Sequence, residues 1–429
     1  MLARYVATQV LTLADYRFRF RICRNCLAVI CSFFLVMLFS SAAQAATYYV
    51  SPSGNDSSSG LLGAPFKTIQ KAANIVNPGD TVIVKDGTYT GGITQRRGGT
   101  ATNWVTFKAE NQWGAKLNGN SNQYDTAWML TPGSSYTRIE DFEIYGYAKM
   151  GIMAGNGVNI SNIYIYGNNI HDIGRRCTDY IYGQSAIYAG TLTSYWTFDS
   201  NVVHDNGRYK AGENGCLESV CYTDSDRCGV LDQALYLNGS YGTVTNNIFY
   251  NNNSGMDISI KGSYGTTAGK HWKVINNTFG QSNYRFEGRL DITAADSGYT
   301  GSIDDILIEN NLFLSTNDWA IMCWAWPDNC GSKTLTNIVI KNNMTNSEKL
   351  IWNLTADPAT NPGFTFANNQ SKLNLGGTTF VNDFAGHDFS LKANSPAINA
   401  GIYAGIDYDI NGKLRVGNPD IGAHEYVLP

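Results

Sequence analysis

Charge is scarce in this chain, and a surplus of positive charge is missing altogether. Of 429 residues, 31 are Lys or Arg against 35 Asp or Glu, with only five histidines. No basic field is left to hold nucleic acid. Proline is equally sparse, ten in all, and no stretch reads as a flexible linker between separately folded pieces. Long apolar runs are absent beyond the N-terminal region, so no later segment can span a bilayer as a helix. What remains in quantity is Gly, Asn, Ser, Thr and Tyr. These build short strands and tight turns, and surfaces that handle sugars through aromatic faces and amides. The length suits one large domain or two smaller ones.

The single apolar run, "LAVICSFFLVMLF" (27–39), follows Arg17, Arg19, Arg21 and Arg24 and precedes "SSAAQA". A positive segment, a short apolar stretch and small residues before a cut predict a secretory signal over residues 1–45, cleaved after Ala45. Cleavage takes five arginines and one aspartate, leaving 26 basic and 34 acidic side chains, net −8. The expectation is a secreted protein, extracellular or periplasmic, a monomer with no membrane attachment. Six cysteines stay: Cys177, Cys216, Cys221, Cys228, Cys323 and Cys330. In an exported chain they are expected in disulfides. Cys323 and Cys330 would staple a local loop. Cys216, Cys221 and Cys228, with Cys177 as a further candidate, would brace one long insertion.

A phrase recurs through the middle: "GNNIHDIG", "DSNVVHDNG", "TNNIFYNNN", "INNTFGQSN", "ENNLFLSTN" and "KNNMTNSEK". Its Asn falls at 169, 201, 247, 277, 311 and 343, at intervals of 32, 46, 30, 34 and 32. Each phrase follows a short alternating strand, and a second strand lies between phrases. Short strands, an Asn at a fixed turn and a period near 30 predict a parallel β-helix in which each repeat is one coil stacked on the last. The asparagines would then form a ladder, satisfying backbone groups at a tight corner. Residues 46–125 are expected to form the N-terminal cap and first coils, 126–353 the repeats, and 354–429 an irregular C-terminal segment. The long interval contains an insertion, 208–232, expected on the binding face. "PFKTIQKAANIV" places Ile69, Ala72, Ala73 and Val76 on one face of a capping helix, and "GDTVIVKDGTY" reads as the first strand.

The opening of the mature chain, "TYYVSPSGNDSSSG…APFKTIQKAANIVNPGDTVIVKDGTY" (47–89), resembles that of secreted right-handed parallel β-helix proteins of the pectate lyase-like superfamily. The end, "DFSLKANSPAINAG…DYDINGKLRVGNPDIGAHEY" (388–426), resembles the closing segment of the same group. "NNIFYNNNSGMDISIKGS…WKVINNTFGQSNYRFEGRLDIT" is loosely similar to the alginate and chondroitin lyase branch. The resemblance implies an all-β, right-handed solenoid and an exported lyase acting on an acidic polysaccharide. Lys261 would match that branch's outward lysine, Arg289 its arginine, and Asp257 one of the acids that hold calcium. Ser259 stands where a second acid is expected.

The residues themselves allow the same chemistry. In "MDISIKG", Asp257, Ser259 and Lys261 alternate with Met256, Ile258 and Ile260, which predicts a strand with its polar side outward. β-Elimination of a uronic acid needs a base, a stabiliser for the charge building on the carboxylate, and an acid for the leaving oxygen. Lys261 and Arg289, on neighbouring coils, could share the first two tasks, Arg289 lowering the Lys261 pKa by repulsion. Tyr236, on the same face, and His204, at the mouth of the insertion, are the other candidate proton carriers. Tyr188, Asp291 and Trp324 are candidate substrate contacts. A glycoside hydrolase using Asp257 and Asp291 as its two carboxylates is the rival enzyme, and a non-catalytic glycan-binding protein the third reading. The run "DYDINGKLRVGN" (407–418) begins like a calcium loop but lacks its closing Glu, and is expected to be a turn.

Overall fold

Apolar residues at every second position build the strands. Ile163 and Ile165, Trp196 and Phe198, Trp272 and Val274, and Ile306 and Ile308 are all buried inside their strands, while intervening residues face out. The computed structural model describes residues 44–177, 183–209, 213–216, 232–253, 255–262, 269–281, 289–295, 301–314, 319–325, 335–346, 349–351 and 363–427. The chain divides into two units, Met1–Gln44 and Ala45–Pro429, and the second holds every described strand and helix. Among the described residues no helix is long and apolar enough to cross a membrane.

The strands stack in parallel into three long sheets of 11, 9 and 10 strands. One coil runs, for example, from Gln233–Leu237 in the second sheet to Ser240–Thr245 in the first and Ile248–Tyr250 in the third, then returns to the second at Ile258–Lys261. The chain is a right-handed parallel β-helix, as expected. Its interior carries stacked rings, such as Phe249, Phe279 and Phe313 with centroids 5.1 and 4.5 Å apart.

From residue 141 onward the turn from the first sheet to the third is two residues long at every coil. Its first residue has positive φ and, beyond the Asp141–Phe142 turn, its second is the ladder Asn: Ser200 and Asn201, Asn246 and Asn247, Asn276 and Asn277, Asn310 and Asn311, Asn342 and Asn343. Each ladder Oδ1 accepts the backbone N–H and the Nδ2 of the Asn one coil back, as Asn311 does for Asn277 at 2.9 and 3.0 Å. The sequence reading misplaced one rung. Asn168, not Asn169, donates to Asn201, and Asn369 extends the ladder past Asn343. In "GNN" the positive-φ place is taken by Gly167, so the inward Asn comes one residue earlier. Asn277→Ala is expected to cost about 1–3 kcal/mol by orphaning buried groups on both neighbouring coils, read as a lower urea midpoint.

The capping helix forms but is short, Ile69–Ala73, with Thr68 as N-cap. Ile69, Ala72, Ala73 and Val76 all enter the core. The first strand lies earlier than the sequence reading placed it: Thr47–Val50 pairs in parallel with Thr81–Val84. The C-terminal segment docks on the outside of the Asn corner. Asn276 Nδ2 donates to the carbonyls of Asp420 and Gly422, and Asn310 Nδ2 to that of Ile402. Buried Arg415 donates to Asn246 Oδ1 and Glu425 Oε2. A separate apolar cluster, including Phe380, Phe389 and Ile421, packs beside Leu312, Leu314 and Met344. The calcium-like start of 407–418 is a turn: Asp409 Oδ1 accepts the N–H groups of Asn411 and Lys413, and its Oδ2 that of Glu425.

Candidate active site

Because the ladder corner is tight from residue 141 onward, the longer connections of those coils lie beside the second sheet. Its flanking connections include 172–184, 205–232, 280–289 and 326–334. The insertion read as 208–232 is clasped at its ends by a buried ion pair, Arg208 Nη2 to Asp232 Oδ1 at 3.0 Å and Nε to Oδ2 at 3.1 Å. Gly255 passes so close to this clasp that a Cβ there would lie 1.4 Å from the Asp232 carbonyl oxygen. Cys216 is bonded to Cys177. Cys323 is also in a disulfide, while Cys221, Cys228 and Cys330 lie outside the described residues.

The outer face of the second sheet carries a column in strict register: Met153, Tyr188, Tyr236, Ser259, Asp291 and Met322. Tyr188 and Tyr236 stack with centroids 5.2 Å apart and planes 6° apart. Stacking covers one face of each ring, and the partner of Tyr236 on the next coil is the small Ser259. Next to this column runs a second, Lys261, Thr293 and Trp324. The Trp324 side chain lies outside the described residues.

Lys261 Nζ lies 2.9 Å from Asp291 Oδ2 and 3.0 Å from Thr293 Oγ1. Asp291 also accepts from Ser259 Oγ at 2.8 Å and Thr293 Oγ1 at 2.7 Å. The lysine side chain is 19% exposed and the aspartate 2%. This is an ammonium set over a buried carboxylate, with two hydroxyls completing the set. Ser259 and Thr293 went unassigned in the sequence reading; their shared parity with Lys261 was the available signal.

Several of the candidate residues lie elsewhere than on an open groove floor. Asp257 and Ser259 do point outward, but neither is open: their relative exposures are 4% and 0%. Arg289 is no groove residue. Its side chain is 4% exposed, its Nε donates to Asp257 Oδ2, and its guanidinium reaches the carbonyls of Gly280 and Phe249 at the corner with the third sheet. It therefore neither faces Lys261 from the groove nor meets a substrate carboxylate. Asp257 does not fit a calcium ion either. Its carboxylate already faces a guanidinium and the Nδ2 of Asn252 at 2.8 Å, so the donors around it are N–H groups, not oxygens. Among the described residues no three His, Cys, Asp or Glu side chains converge as metal ligands. Asp257 and Asp291, each buried against a cation, are not two carboxylates flanking a scissile bond, and Asp291 is too enclosed for direct substrate contact. His204 sits on the third sheet, apart from Lys261. It stacks between His171 and Tyr250 at 4.8 and 4.5 Å, with Nδ1 2.6 Å from Asp205 and Nε2 3.0 Å from Asn169 Oδ1.

Residues 48–215 match the family model described as a "Pel9A-like, right handed beta helix region". That stretch is similar to the β-helix region of that family. It contains nearly all of the opening segment on which the pectate lyase-like resemblance rests. Pectate lyase L of Dickeya dadantii (strain 3937) is 39% identical over 71 residues, 16% of this chain and 16% of that protein. The uncharacterized protein YwoF of Bacillus subtilis (strain 168) is 27% identical over 124 residues, 29% of this chain and 26% of that protein. The chain thus spans about a sixth and a quarter of these curated relatives. The crystal structure of pectate lyase Pel9A superposes with a TM-score of 0.53 at 16% identity, covering 89% of this chain and 96% of that one. This is a likeness of fold.

Proposed function

We propose that the protein is an exported, monomeric polysaccharide lyase that cleaves a uronate-containing polymer by β-elimination on the outer face of the second sheet. The observation that carries the proposal is the Lys261 ammonium held over Asp291, next to the phenol column of Tyr188 and Tyr236. Two of the similar proteins are pectate lyases, and the Cys177–Cys216 disulfide suits an oxidising compartment outside the cytoplasm.

The geometry divides the labour differently from the sequence reading. Lys261 stands in an ion pair with the buried Asp291 carboxylate, 2.9 Å away. Lys261 is therefore assigned to receive the uronate carboxylate and to stabilise the charge that grows on it as the adjacent carbon loses its proton. Tyr236, one coil back and in register with Ser259, is assigned to handle protons, including delivery to the leaving oxygen. Ser259 and Thr293 keep Asp291, and through it the ammonium, in place. Arg289 acts on the site only by holding the corner of the strand that ends in Ala295.

The test is incubation of the mature protein with polygalacturonate, alginate and chondroitin sulfate, following ultraviolet absorbance from new unsaturated ends. At least one polymer is expected to give that signal. New reducing ends without absorbance would make it a hydrolase, and binding without either product would leave only a glycan-binding protein.

A further inference from the structure

The outer face of the first sheet carries a cleft that the lyase proposal does not use. It encloses about 580 Å³, within the range of small-ligand sites. Its floor comes from three consecutive coils: Arg138 and Glu140, then Tyr164 and Tyr166, then Asp199. Its far wall is the docked C-terminal segment at Gly405–Asp409, fastened where Asn246 Nδ2 donates to the Tyr408 carbonyl at 3.1 Å.

Polar groups and aromatic rings from neighbouring coils meet in this cleft. Register places Tyr166 between Glu140 and Asp199, one coil on either side. Tyr164 and Tyr166 lie nearly parallel, 5.8 Å apart, and the Arg138 guanidinium sits 4.6 Å from the Tyr164 ring. Glu140 is held by Arg138 at 3.2 Å and Lys108 at 3.7 Å. Asp199 differs: it has no ion-pair partner among the described residues. Its carboxylate takes neutral donors instead, Tyr164 Oη at 3.0 Å, Ser200 Oγ at 3.0 Å and Asn246 Nδ2 at 3.2 Å. Burial raises its pKa despite those bonds.

We infer that this cleft binds a neutral oligosaccharide. Glu140, Asp199, Asp407 and Asp409 outnumber the single lining cation Arg138, so a polyuronate is repelled, whereas sugar hydroxyls find carboxylate and carbonyl acceptors beside aromatic rings. The two faces then take different partners: the second sheet an acidic chain, the first an uncharged one.

The test is calorimetric titration of the mature protein with hexasaccharides of β-1,4-galactose, β-1,4-xylose and α-1,5-arabinose, and with hexagalacturonate. At least one neutral hexasaccharide is expected to bind, and Asp199→Ala and Tyr166→Ala should each weaken it at least about tenfold, equal to ~1.4 kcal/mol. Asp199→Asn, which keeps the side chain's shape but replaces one acceptor oxygen with an amide donor, should weaken binding in the same direction and serves as a second variant should Asp199→Ala fail to fold. Binding unchanged in folded variants, or no neutral hexasaccharide binding in the millimolar range, would overturn the inference. So would hexagalacturonate proving the ligand whose binding these variants weaken. None of these outcomes depends on lyase activity.

Discussion

Arg289→Ala is expected to lower stability by about 3–5 kcal/mol, the cost of leaving one member of a buried ion pair without its partner. The pair with Asp257 is almost wholly enclosed, at 4% and 3% side-chain exposure. The guanidinium also supplies donors to the Gly280 and Phe249 carbonyls, which no alanine replaces. The measurement is the urea midpoint followed by far-ultraviolet circular dichroism. Removing both charges in Asp257→Ala/Arg289→Ala should cost less than the two single losses added together, because no charge is then left unpaired. A wild-type midpoint for Arg289→Ala would show that the pair contributes nothing. Any loss of turnover in this variant is then read against its folded fraction, which separates a fold-holding arginine from a groove arginine.

Lys261→Ala is expected to reduce lyase turnover at least about 100-fold, the usual scale for losing a charge-stabilising group. Its structural cost is smaller. Asp291 keeps the Ser259 and Thr293 hydroxyls, so a loss of about 1–3 kcal/mol is expected and the solenoid stays folded. Lys261→Arg retains the cation over Asp291 and should retain measurable turnover with a raised KM, because an ammonium site is only roughly met by a planar fork. If Lys261 instead removed the proton itself, Lys261→Arg would be as inactive as Lys261→Ala. Wild-type turnover in Lys261→Ala would reduce the Lys261–Asp291 contact to a structural ion pair.

Much of the solenoid was legible because its signals are local and repeated. Alternation within strands of four to seven residues sets which side chains enter the core, and Ile258, Ile260, Leu290 and Ile292 all do. The paired Asn phrase marks the corner since its two places make different demands. One needs positive φ, which Asn, Ser, Asp or Gly can adopt; the other needs an inward amide with two donors and an acceptor. The one error, at Asn169, arose where Gly167 filled the first place and left two asparagines to choose between.

By itself, then, the sequence determined the stack, the corner residues and the parity of Tyr188, Tyr236, Ser259, Lys261 and Asp291 along the second sheet, for these follow from short-range periodicity. Only the tertiary structure decided which outward residues are reachable. Accessibility depends on what neighbouring coils and connections bring over a side chain, and that is set by contacts 30 or more residues apart, such as Asp257 with Arg289, separated by 32 positions. The same distance hid the first-sheet cleft, whose floor and wall join Asn246 to Tyr408 across 162 residues. It also hid the separation of His204 from Lys261. A turn in sequence does not say which of three sheets follows it, whereas the stacked register of His171, His204 and Tyr250 places that histidine on the third.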